Sequence, residues 1–367
     1  MELKLELEPL SDQAKICERP IIIAGPCSAE SEEQVLRTAR ELSGMGVNIF
    51  RAGIWKPRTR PNAFEGVGST GLPWLKKVKE ETGMLTAIEV ANVKHIYEAL
   101  KYGIDIFWIG ARTSANPFAV QEIADTLKGM DVPVMVKNPV NPDAELWLGA
   151  IERIYQAGIR RIAAIHRGFS VFAQTDFRNH PHWQIPIELK RRIPNLPVIT
   201  DPSHICGSRE KLYEISQEAL DLNFDGLIIE SHPDPDNAWS DPKQQLTPAD
   251  LKILLDRLVL RDPDVDNELL LTIEELRDEI DELDDQIIDI FERRMQIADQ
   301  IGHYKKAHNV AILQSKRWDA IINKRLNMGE EKGLSNEFIT RVFRAIHQES
   351  INHQAHIMNP DPDEQDQ

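Results

Sequence analysis

The sequence has few cysteines, no long apolar run and no excess of positive charge, and each shortage excludes a class of protein. Three cysteines in 367 residues, Cys17, Cys27 and Cys206, are too few for a disulfide framework and indicate a reducing cytoplasm. The apolar runs fall short of the roughly 20 residues that span a bilayer. A net charge of −16 argues against nucleic acid or an anionic membrane as a partner. Any local cluster of arginine and lysine is therefore informative.

The first two-thirds of the chain alternates short apolar segments with stretches long enough for a helix. Eight such segments predict the parallel strands of a (β/α)8 TIM barrel: 21–26, 48–52, 85–90, 106–110, 132–137, 161–165, 197–200 and 226–229. The alternative is an open doubly wound sheet, but no glycine-rich phosphate loop follows the first segment. The N-terminal residues 1–10 alternate charged and apolar side chains, which predicts a further short strand.

The periodicity changes after an acidic, proline-containing stretch at 261–267, which we interpret as a linker. Apolar residues then recur every three or four positions from Ile273 to Tyr304 and predict one long helix. Two more helices are predicted at 316–327 and 336–353. Two short helices cannot cover so long an apolar seam, so we expect an all-α three-helix domain that pairs with a second chain as a homodimer. The predicted divisions are a barrel at 1–258, a linker at 259–268, a helical domain at 269–357 and a disordered acidic tail at 358–367.

The ends of the predicted strands bring two kinds of polar group to the face where barrels carry their chemistry. Cys27, His204, Glu230 and Asp241 supply a thiolate, an imidazole and two carboxylates, a set that suits Mn²⁺, Fe²⁺, Co²⁺ or Zn²⁺. Taken singly, each has a structural explanation, such as a small core cysteine or a helix-capping aspartate. The second group is cationic and predicts a phosphorylated anion as ligand: Arg51, Lys56, Arg58, Arg112, Lys137 and Arg167.

The motifs GPCSAES, RAGIWKPRT, IGAR, VMVKN, HRG, DPSH and IESHPDP, within about residues 21–251, resemble 3-deoxy-D-arabino-heptulosonate 7-phosphate (DAHP) synthases of the short type Iβ class. The resemblance implies addition of phosphoenolpyruvate to the aldehyde of erythrose 4-phosphate. A divalent metal, Mn²⁺ in the first instance, would polarise that aldehyde. The chain begins almost at the barrel, so we expect no N-terminal ferredoxin-like regulatory domain like that of some relatives.

The same resemblance implies a role for each cationic residue. Arg112 and Arg167 would hold the phosphate of phosphoenolpyruvate, Arg51 and Lys137 its carboxylate, Lys56 would donate a proton, and Arg58 with Thr59 would bind the aldose phosphate. The nearest alternative is the eight-carbon octulosonate 8-phosphate synthase. Its loop typically reads Lys-Ala-Asn-Arg-Ser where this chain has Lys56-Pro-Arg58-Thr59, which favours the four-carbon aldose.

In the helical part, Arg294 occupies a seam position that should be apolar. A guanidinium there is costly unless an anion pairs with it, although a register-setting or snorkelling arginine is the alternative. Lys305 lies eleven residues on, almost three turns away, and projects from the same face. Arg277 lies about a quarter-turn off that face and would serve a site built by the partner chain. These cations predict a small dianionic ligand.

The segments around Arg277, Arg293-Arg294, Ile301 to Lys305, Arg317 and Ser350 with Gln354 resemble the all-helical chorismate mutases over about residues 270–356. Such enzymes are intertwined dimers that convert chorismate to prephenate without a cofactor. The resemblance implies that Arg294 and Arg277 of the partner chain bind the carboxylates and that Lys305 and Gln354 bind the ether oxygen, with the pocket completed by Gln314, Arg317 and Ser350. Trp318 stands where many relatives have a glutamate.

Two hypotheses follow. The first is a bifunctional shikimate-pathway enzyme with feedback inhibition through the helical domain. The second keeps the barrel catalytic and makes the helices only a dimerisation and allosteric ligand-sensing module. Cations inside the apolar seam favour the first, because a pure dimer interface gains nothing from Arg294.

Overall fold

The computed structural model describes residues 4–13, 18–57, 64–172, 175–261, 267–313 and 315–359. The chain divides into two compact units, Met1–Pro263 and Asp264–Gln367. Within the described residues, every helix is too short or too polar to cross a membrane.

The first unit contains a closed barrel of eight parallel strands that neighbour one another in chain order. The last strand pairs with the first, with Ile21 beside Gly226 and Gly25 beside Glu230. The strands are β1 (Ile21–Gly25), β2 (Ile49–Arg51), β3 (Leu85–Val90), β4 (Ile106–Ile109), β5 (Val134–Lys137), β6 (Ile162–His166), β7 (Val198–Thr200) and β8 (Gly226–Glu230). The predicted TIM barrel is confirmed, with each strand at its predicted place.

Helices surround the barrel and pack their apolar faces on it. They are α1 (Glu32–Leu42), α2 (Leu72–Thr82), α3 (Val93–Lys101), α4 (Ala111–Ser114), α5 (Pro117–Leu127), α6 (Ala144–Gln156), α7 (Gln184–Arg192), α8 (Pro202–Cys206), α9 (Leu212–Asp221) and α10 (Pro248–Arg257), with 3₁₀ turns at Gly68–Gly71 and Pro235–Asn237. Several begin at a side chain that caps the free backbone N–H groups of the first turn, as Ser31 does for α1 and Asp143 for α6.

The strands are apolar on both faces because each face meets a different core. One cluster lies inside the barrel and includes Ile23, Trp108 and Met135, whereas a larger one, with Phe50 and Val136, lies between strands and helices. A barrel filled by side chains leaves only its rim for a site.

The predicted N-terminal strand is wrong. Residues 4–13 form no strand, and Leu10 instead joins the cluster inside the barrel, where it is 1% exposed. The backbone N–H of Glu8 donates to the carbonyl of Arg160, just before β6, at 3.0 Å. A closed barrel has no free edge to accept another strand, so the apolar residues of this segment are buried at the amino-terminal end of the barrel instead.

Three helices lie in the described part of the second unit: α11 (Asn267–Ala307), α12 (Ser315–Glu331) and α13 (Asn336–Met358). The predicted three-helix region is confirmed, although α11 is longer than predicted and begins within the predicted linker. Residues 262–266 of that linker and 360–367 of the predicted tail lie outside the described residues, and the domain limits remain predictions.

The seam of α11 is open to solvent in a single chain. Leu276, Ile280, Leu283 and Ile287 are 54%, 56%, 56% and 44% exposed, respectively. A row of four large apolar side chains along one helix face is unusual for a monomer surface.

Candidate active sites

The carboxyl ends of the barrel strands converge on one mouth, and the end of β1 lies tightly against β2. Gly25 ends β1 with a φ of +148°, and a Cβ there would lie 2.1 Å from the carbonyl oxygen of Arg51. Only glycine allows this approach. It brings Cys27 beside Arg51, whose guanidinium donates to the Cys27 carbonyl at 3.3 Å.

The four predicted metal ligands lie near one another in this mouth, in two close pairs. The Cys27 Sγ is 3.3 Å from an Asp241 carboxylate oxygen, and His204 Nε2 is 3.9 Å from Glu230 Oε1. In the part of the chain that the structure describes, however, no group of three or more His, Cys, Asp and Glu side chains is arranged to hold a metal ion. The donor atoms therefore share a region without forming a ready-made coordination shell.

Burial and neighbouring charges shift the pKa values of three of these side chains, Cys27, Glu230 and Asp241. Burial and the nearby carboxylate of Glu230 raise the pKa of the Cys27 thiol to about 12. Burial would also raise the pKa of Glu230, but the charges of His204 and Arg51 outweigh it and lower that pKa to about 2. Burial opposes the ionisation of Asp241 too, yet its ion pair with Arg178, at 2.9 Å, holds the pKa of Asp241 well below its ordinary value.

His204 is oriented by a buried carboxylate. Its Nδ1 lies 2.9 Å from Asp201, which directs Nε2 towards Glu230. Burial lowers the pKa of His204, although Asp201 opposes the effect. A neutral imidazole whose far nitrogen donates to a carboxylate is the usual form of a metal-binding histidine.

The mouth holds a small, strongly cationic cavity of about 90 Å³. Its charged lining comprises Lys56, Glu89, Arg112, Lys137, Arg167, Arg178, His204 and Asp241. Five lysine and arginine side chains against two carboxylates run counter to the net charge of −16 for the whole chain. Cations packed this closely repel one another unless an anion lies between them.

Lys137 lines this cavity, whereas Arg51 lies outside its described lining. Arg51 is 2% exposed and pairs with Glu230 at 2.7 Å, and Lys137 pairs with Asp201 at 2.8 Å. Both cations lie near the ring of Trp108, at 5.0 and 5.9 Å from its centroid. The two predicted carboxylate-binding residues are thus fixed on the same indole.

Arg167 lies in the cavity wall, where its guanidinium donates to the Asn179 side chain at 2.7 Å. Burial lowers the pKa of Arg167 to about 10, and the neighbouring cations Arg178 and Arg112 contribute to that shift, which Asp201 opposes. A guanidinium that is partly buried among cations is a strong anion-binding group. The predicted aldose-phosphate residues Arg58 and Thr59 lie outside the described residues.

Lys56 lies against the thiol at the centre of the mouth. Its ammonium group donates to the Cys27 carbonyl at 2.7 Å and to Sγ at 3.0 Å. The sequence interpretation missed Arg178, which binds Asp241 and, at 2.8 Å, Gln244. Arg178 lies in the β6–α7 loop outside the quoted motifs, where no local sequence pattern marks it.

The second unit has its own cavity, of about 280 Å³, among α11, α12 and α13. Its polar residues are Arg294, Lys305, Trp318, His347, Ser350 and Gln354, and the rest of its described lining is apolar: Ile297, Ala298, Ile301, Ile312, Ile321 and Ile351. Four of the predicted helical-site residues therefore converge here.

Arg294 and Lys305 enter this cavity without a carboxylate partner among the described residues. Arg294 donates to the hydroxyl of Ser350 and to the Ile346 carbonyl, the latter at 3.4 Å. Lys305 donates to Gln354 at 3.0 Å and to the carbonyl of Ile312 at 2.6 Å. Burial lowers the pKa of both cations, and for Arg294 the nearby Arg325 adds to this.

Other predicted residues lie elsewhere. Arg277 is exposed on α11 and pairs with Glu274, away from the cavity lining of its own chain. Gln314 and the side chain of Arg317 lie outside the described residues. Arg325 and His347 were missed, because a single charged or polar residue on a helix carries no motif until its neighbours are known.

The sequence profile of the DAHP synthetase I family matches residues 14–260, more than half of the 367 residues. The chain belongs to this family. A profile of chorismate mutase type II matches residues 276–355, so a chorismate mutase domain follows the DAHP synthase domain. Both domains expected from the motifs are confirmed.

Two individual proteins are similar to about two thirds of the chain. The phospho-2-dehydro-3-deoxyheptonate aldolase of Thermotoga maritima is 34% identical over 225 residues, which are 61% of this chain and 64% of that protein. The chain thus spans just under two thirds of the length of this relative. The 2-dehydro-3-deoxyphosphooctonate aldolase of Geobacter metallireducens is 30% identical over 260 residues, 65% of this chain and 92% of that protein.

Solved structures of the DAHP synthetase I family give the same result for the barrel. A crystal structure of the Thermotoga maritima DAHP synthase superimposes with a TM-score of 0.59 at 33% identity, over 64% of this chain and 67% of that one. A truncated form of the same enzyme gives a TM-score of 0.56 at 31% identity, over 64% of this chain and 83% of that one.

Proposed function

We propose that the protein is a bifunctional shikimate-pathway enzyme of the cytoplasm. The barrel condenses phosphoenolpyruvate with erythrose 4-phosphate to give 3-deoxy-D-arabino-heptulosonate 7-phosphate and phosphate. The helical unit rearranges chorismate to prephenate. The observation that supports this most strongly is that each unit of an acidic protein encloses its own cationic cavity.

In the barrel, Arg112 and Arg167 bind the phosphate of phosphoenolpyruvate, and Arg51 and Lys137 bind its carboxylate. The support is the common cavity of Arg112, Arg167 and Lys137 and the positions of Arg51 and Lys137 beside Trp108. Ion pairs with Glu230 and Asp201 hold these two cations in place before substrate arrives. Electrostatic stabilisation by preorganised charge is usually the largest single contribution to catalysis.

The condensation joins C3 of phosphoenolpyruvate to the aldehyde carbon, and the aldehyde oxygen takes up a proton. Water then adds to C2, and phosphate leaves by cleavage of the C–O bond. Lys56 donates the proton, since it is the cation at the centre of the mouth and is held there by the Cys27 carbonyl. Arg58 and Thr59 bind the aldose phosphate.

A divalent metal, Mn²⁺ in the first instance, with Fe²⁺, Co²⁺ or Zn²⁺ as alternatives, would be held by Cys27, His204, Glu230 and Asp241. Two features fit this assignment: the donor set is thiolate, imidazole and carboxylate, and Asp201 orients His204 with Nε2 directed to Glu230. When bound, the metal supplies polarisation of the aldehyde oxygen.

The helical site restricts the conformation of chorismate and stabilises the charge that develops in the transition state. Arg294, with Arg277 of a second chain, binds the two carboxylates of chorismate, and Lys305 with Gln354 stabilises the ether oxygen as its bond breaks. Ser350 holds Arg294 in place, and Gln314 and Arg317 complete the pocket. Arg277 lies away from the cavity lining of its own chain, and the seam of α11 is exposed to solvent; both features support an intertwined homodimer.

A single set of assays tests both activities. Metal-stripped protein kept in chelator should lose condensation, regain it with Mn²⁺, and consume chorismate at an unchanged rate throughout. Condensation that persists in chelator would disprove the metal requirement. Faster reaction with arabinose 5-phosphate than with erythrose 4-phosphate would make the barrel an octulosonate 8-phosphate synthase, the activity named for the Geobacter relative.

The second candidate, a helical unit that only dimerises and senses ligand, predicts no chorismate consumption by the wild-type protein. Trp318 in the cavity wall is the observation that favours it. Feedback is tested separately by adding prephenate to the condensation assay. We expect inhibition in the wild type and none in Arg294→Ala.

A further inference from the structure

His347 belongs to the helical cavity, although no motif marks it. It lies on α13, one turn before Ser350, and lines the same cavity as Arg294 and Lys305. Its imidazole stacks on the indole of Trp318 from α12, with ring centroids 4.3 Å apart and an interplanar angle of 10°. Two aromatic rings from different helices therefore form one wall of this cavity.

The stack fixes the plane of the imidazole. When one face of a ring lies flat on another ring, its nitrogens lie at the edge of the stack and cannot turn into the indole. Among the residues that the structure describes, none hydrogen-bonds to a ring nitrogen of His347, whose electrostatic surroundings are burial and Arg294. An edge that is oriented and has no protein partner can bind a ligand.

The charge of His347 complements that of its neighbours. Burial and the charge of Arg294 lower the pKa of His347, so the imidazole is neutral at physiological pH. A neutral imidazole offers one N–H donor and one nitrogen acceptor. The two neighbouring cations suit negatively charged groups, whereas the neutral imidazole can hydrogen-bond an uncharged polar substituent of the same ligand.

Most of the remaining cavity wall is apolar and cannot bind such a substituent. Ile297, Ile301, Ile321 and Ile351 offer no hydrogen bond to a polar group on the ligand ring. Chorismate carries two carboxylates, an ether oxygen and one ring hydroxyl. Arg294, Lys305 and Gln354 address the first two kinds of group, which leaves the hydroxyl without a described partner.

We propose that His347 is a substrate-binding residue that hydrogen-bonds the ring hydroxyl of chorismate, and that Trp318 is a positioning residue that holds its imidazole by stacking. This inference rests on the proposed mutase function and names a specificity contact within it. Trp318 and His347 act as a unit, because the indole face orients the imidazole edge.

The test compares chorismate with the analogue in which hydrogen replaces the ring hydroxyl, in the full-length protein. His347→Phe keeps a ring on Trp318 but has no nitrogen, so we expect kcat/KM for chorismate to fall about 10-fold and kcat/KM for the analogue to change less than about twofold. His347→Gln restores a hydrogen-bonding group and should recover part of the preference for chorismate over the analogue. Trp318→Phe should retain this preference, whereas Trp318→Ala should lose part of it.

Gln348→Leu, at the neighbouring exposed position on α13, is the control and should leave both substrates unchanged. Equal losses with both substrates in His347→Phe would make His347 structural and overturn the inference, as would no loss with either. A wild-type protein that turns over neither substrate would instead overturn the proposed mutase function, and this inference with it. If His347→Phe does not fold, the same substrate comparison in His347→Gln and Trp318→Ala tests whether His347 binds the hydroxyl.

Discussion

Removal of Arg294 is the most discriminating test of the helical site, because activity should fall steeply while stability should change little. The guanidinium is partly buried, donates to Ser350 and Ile346, and pairs with no carboxylate among the described residues. Arg294→Ala therefore leaves no buried anion unpaired. We expect the free energy of unfolding to change by about 1 kcal/mol or less.

Activity should fall steeply in the same variant. Truncating one partner of a hydrogen-bonded charge pair typically costs about 2–5 kcal/mol, or roughly 30- to 5,000-fold in kcat/KM. Chorismate disappearance measured in chelator gives the rate, and a urea unfolding curve gives the stability. Arg294→Lys keeps the charge without the planar fork and should recover part of the rate.

Arg293→Ala is the matched control, since the adjacent arginine is exposed on the same helix. It should keep wild-type turnover. Turnover of Arg294→Ala within about threefold of this control would refute the assignment of Arg294 to substrate. A large loss of stability in Arg294→Ala would instead make the arginine structural.

Three further predictions concern the barrel. Glu230→Gln leaves Arg51, 2% exposed, without its charge partner, so urea unfolding should show a loss of about 3–5 kcal/mol; an unchanged midpoint would contradict a buried pair. Arg167→Ala should lower kcat/KM for phosphoenolpyruvate about 100-fold, whereas the exposed Arg37→Ala should not, and equal effects would remove Arg167 from the phosphate site. Burial lowers the pKa of His166 to about 3, so below the ordinary histidine pKa the unfolded chain binds a proton that the folded barrel does not. Stability should be full above about pH 6.5 and fall by about 1.4 kcal/mol per pH unit towards pH 3. His166→Gln should lack this component of the pH dependence, and an identical slope in both proteins would contradict it.

The fold was readable from the sequence because its strands are buried on both faces. Segments such as Ile21–Gly25 and residues 162–165 are continuous runs of buried apolar residues and glycine, and eight such segments at regular intervals match few architectures. The error at residues 4–10 has the same origin. Alternation predicts a strand only where a sheet edge is available, and closure of the barrel removes every edge.

The site was readable where a residue ends a strand and obscure where it lies in a loop or on a helix. Lys137 and Glu230 close their strands, so topology alone brings them to the mouth. Arg178 reaches the same mouth through a long loop whose path no local pattern specifies. His347 is one of several histidines on polar helix surfaces, and only the packing of α12 on α13 makes it part of a cavity.

The burial of Leu10 inside the barrel allows stability and catalysis to be changed independently. This side chain closes the core from the end opposite the catalytic mouth, and it belongs to a segment that precedes every strand. Truncation to alanine there would open a cavity and cost about 2–5 kcal/mol without touching a residue at the mouth. Thermal tolerance can therefore be adjusted from one end of the barrel while the chemistry at the other end is left alone.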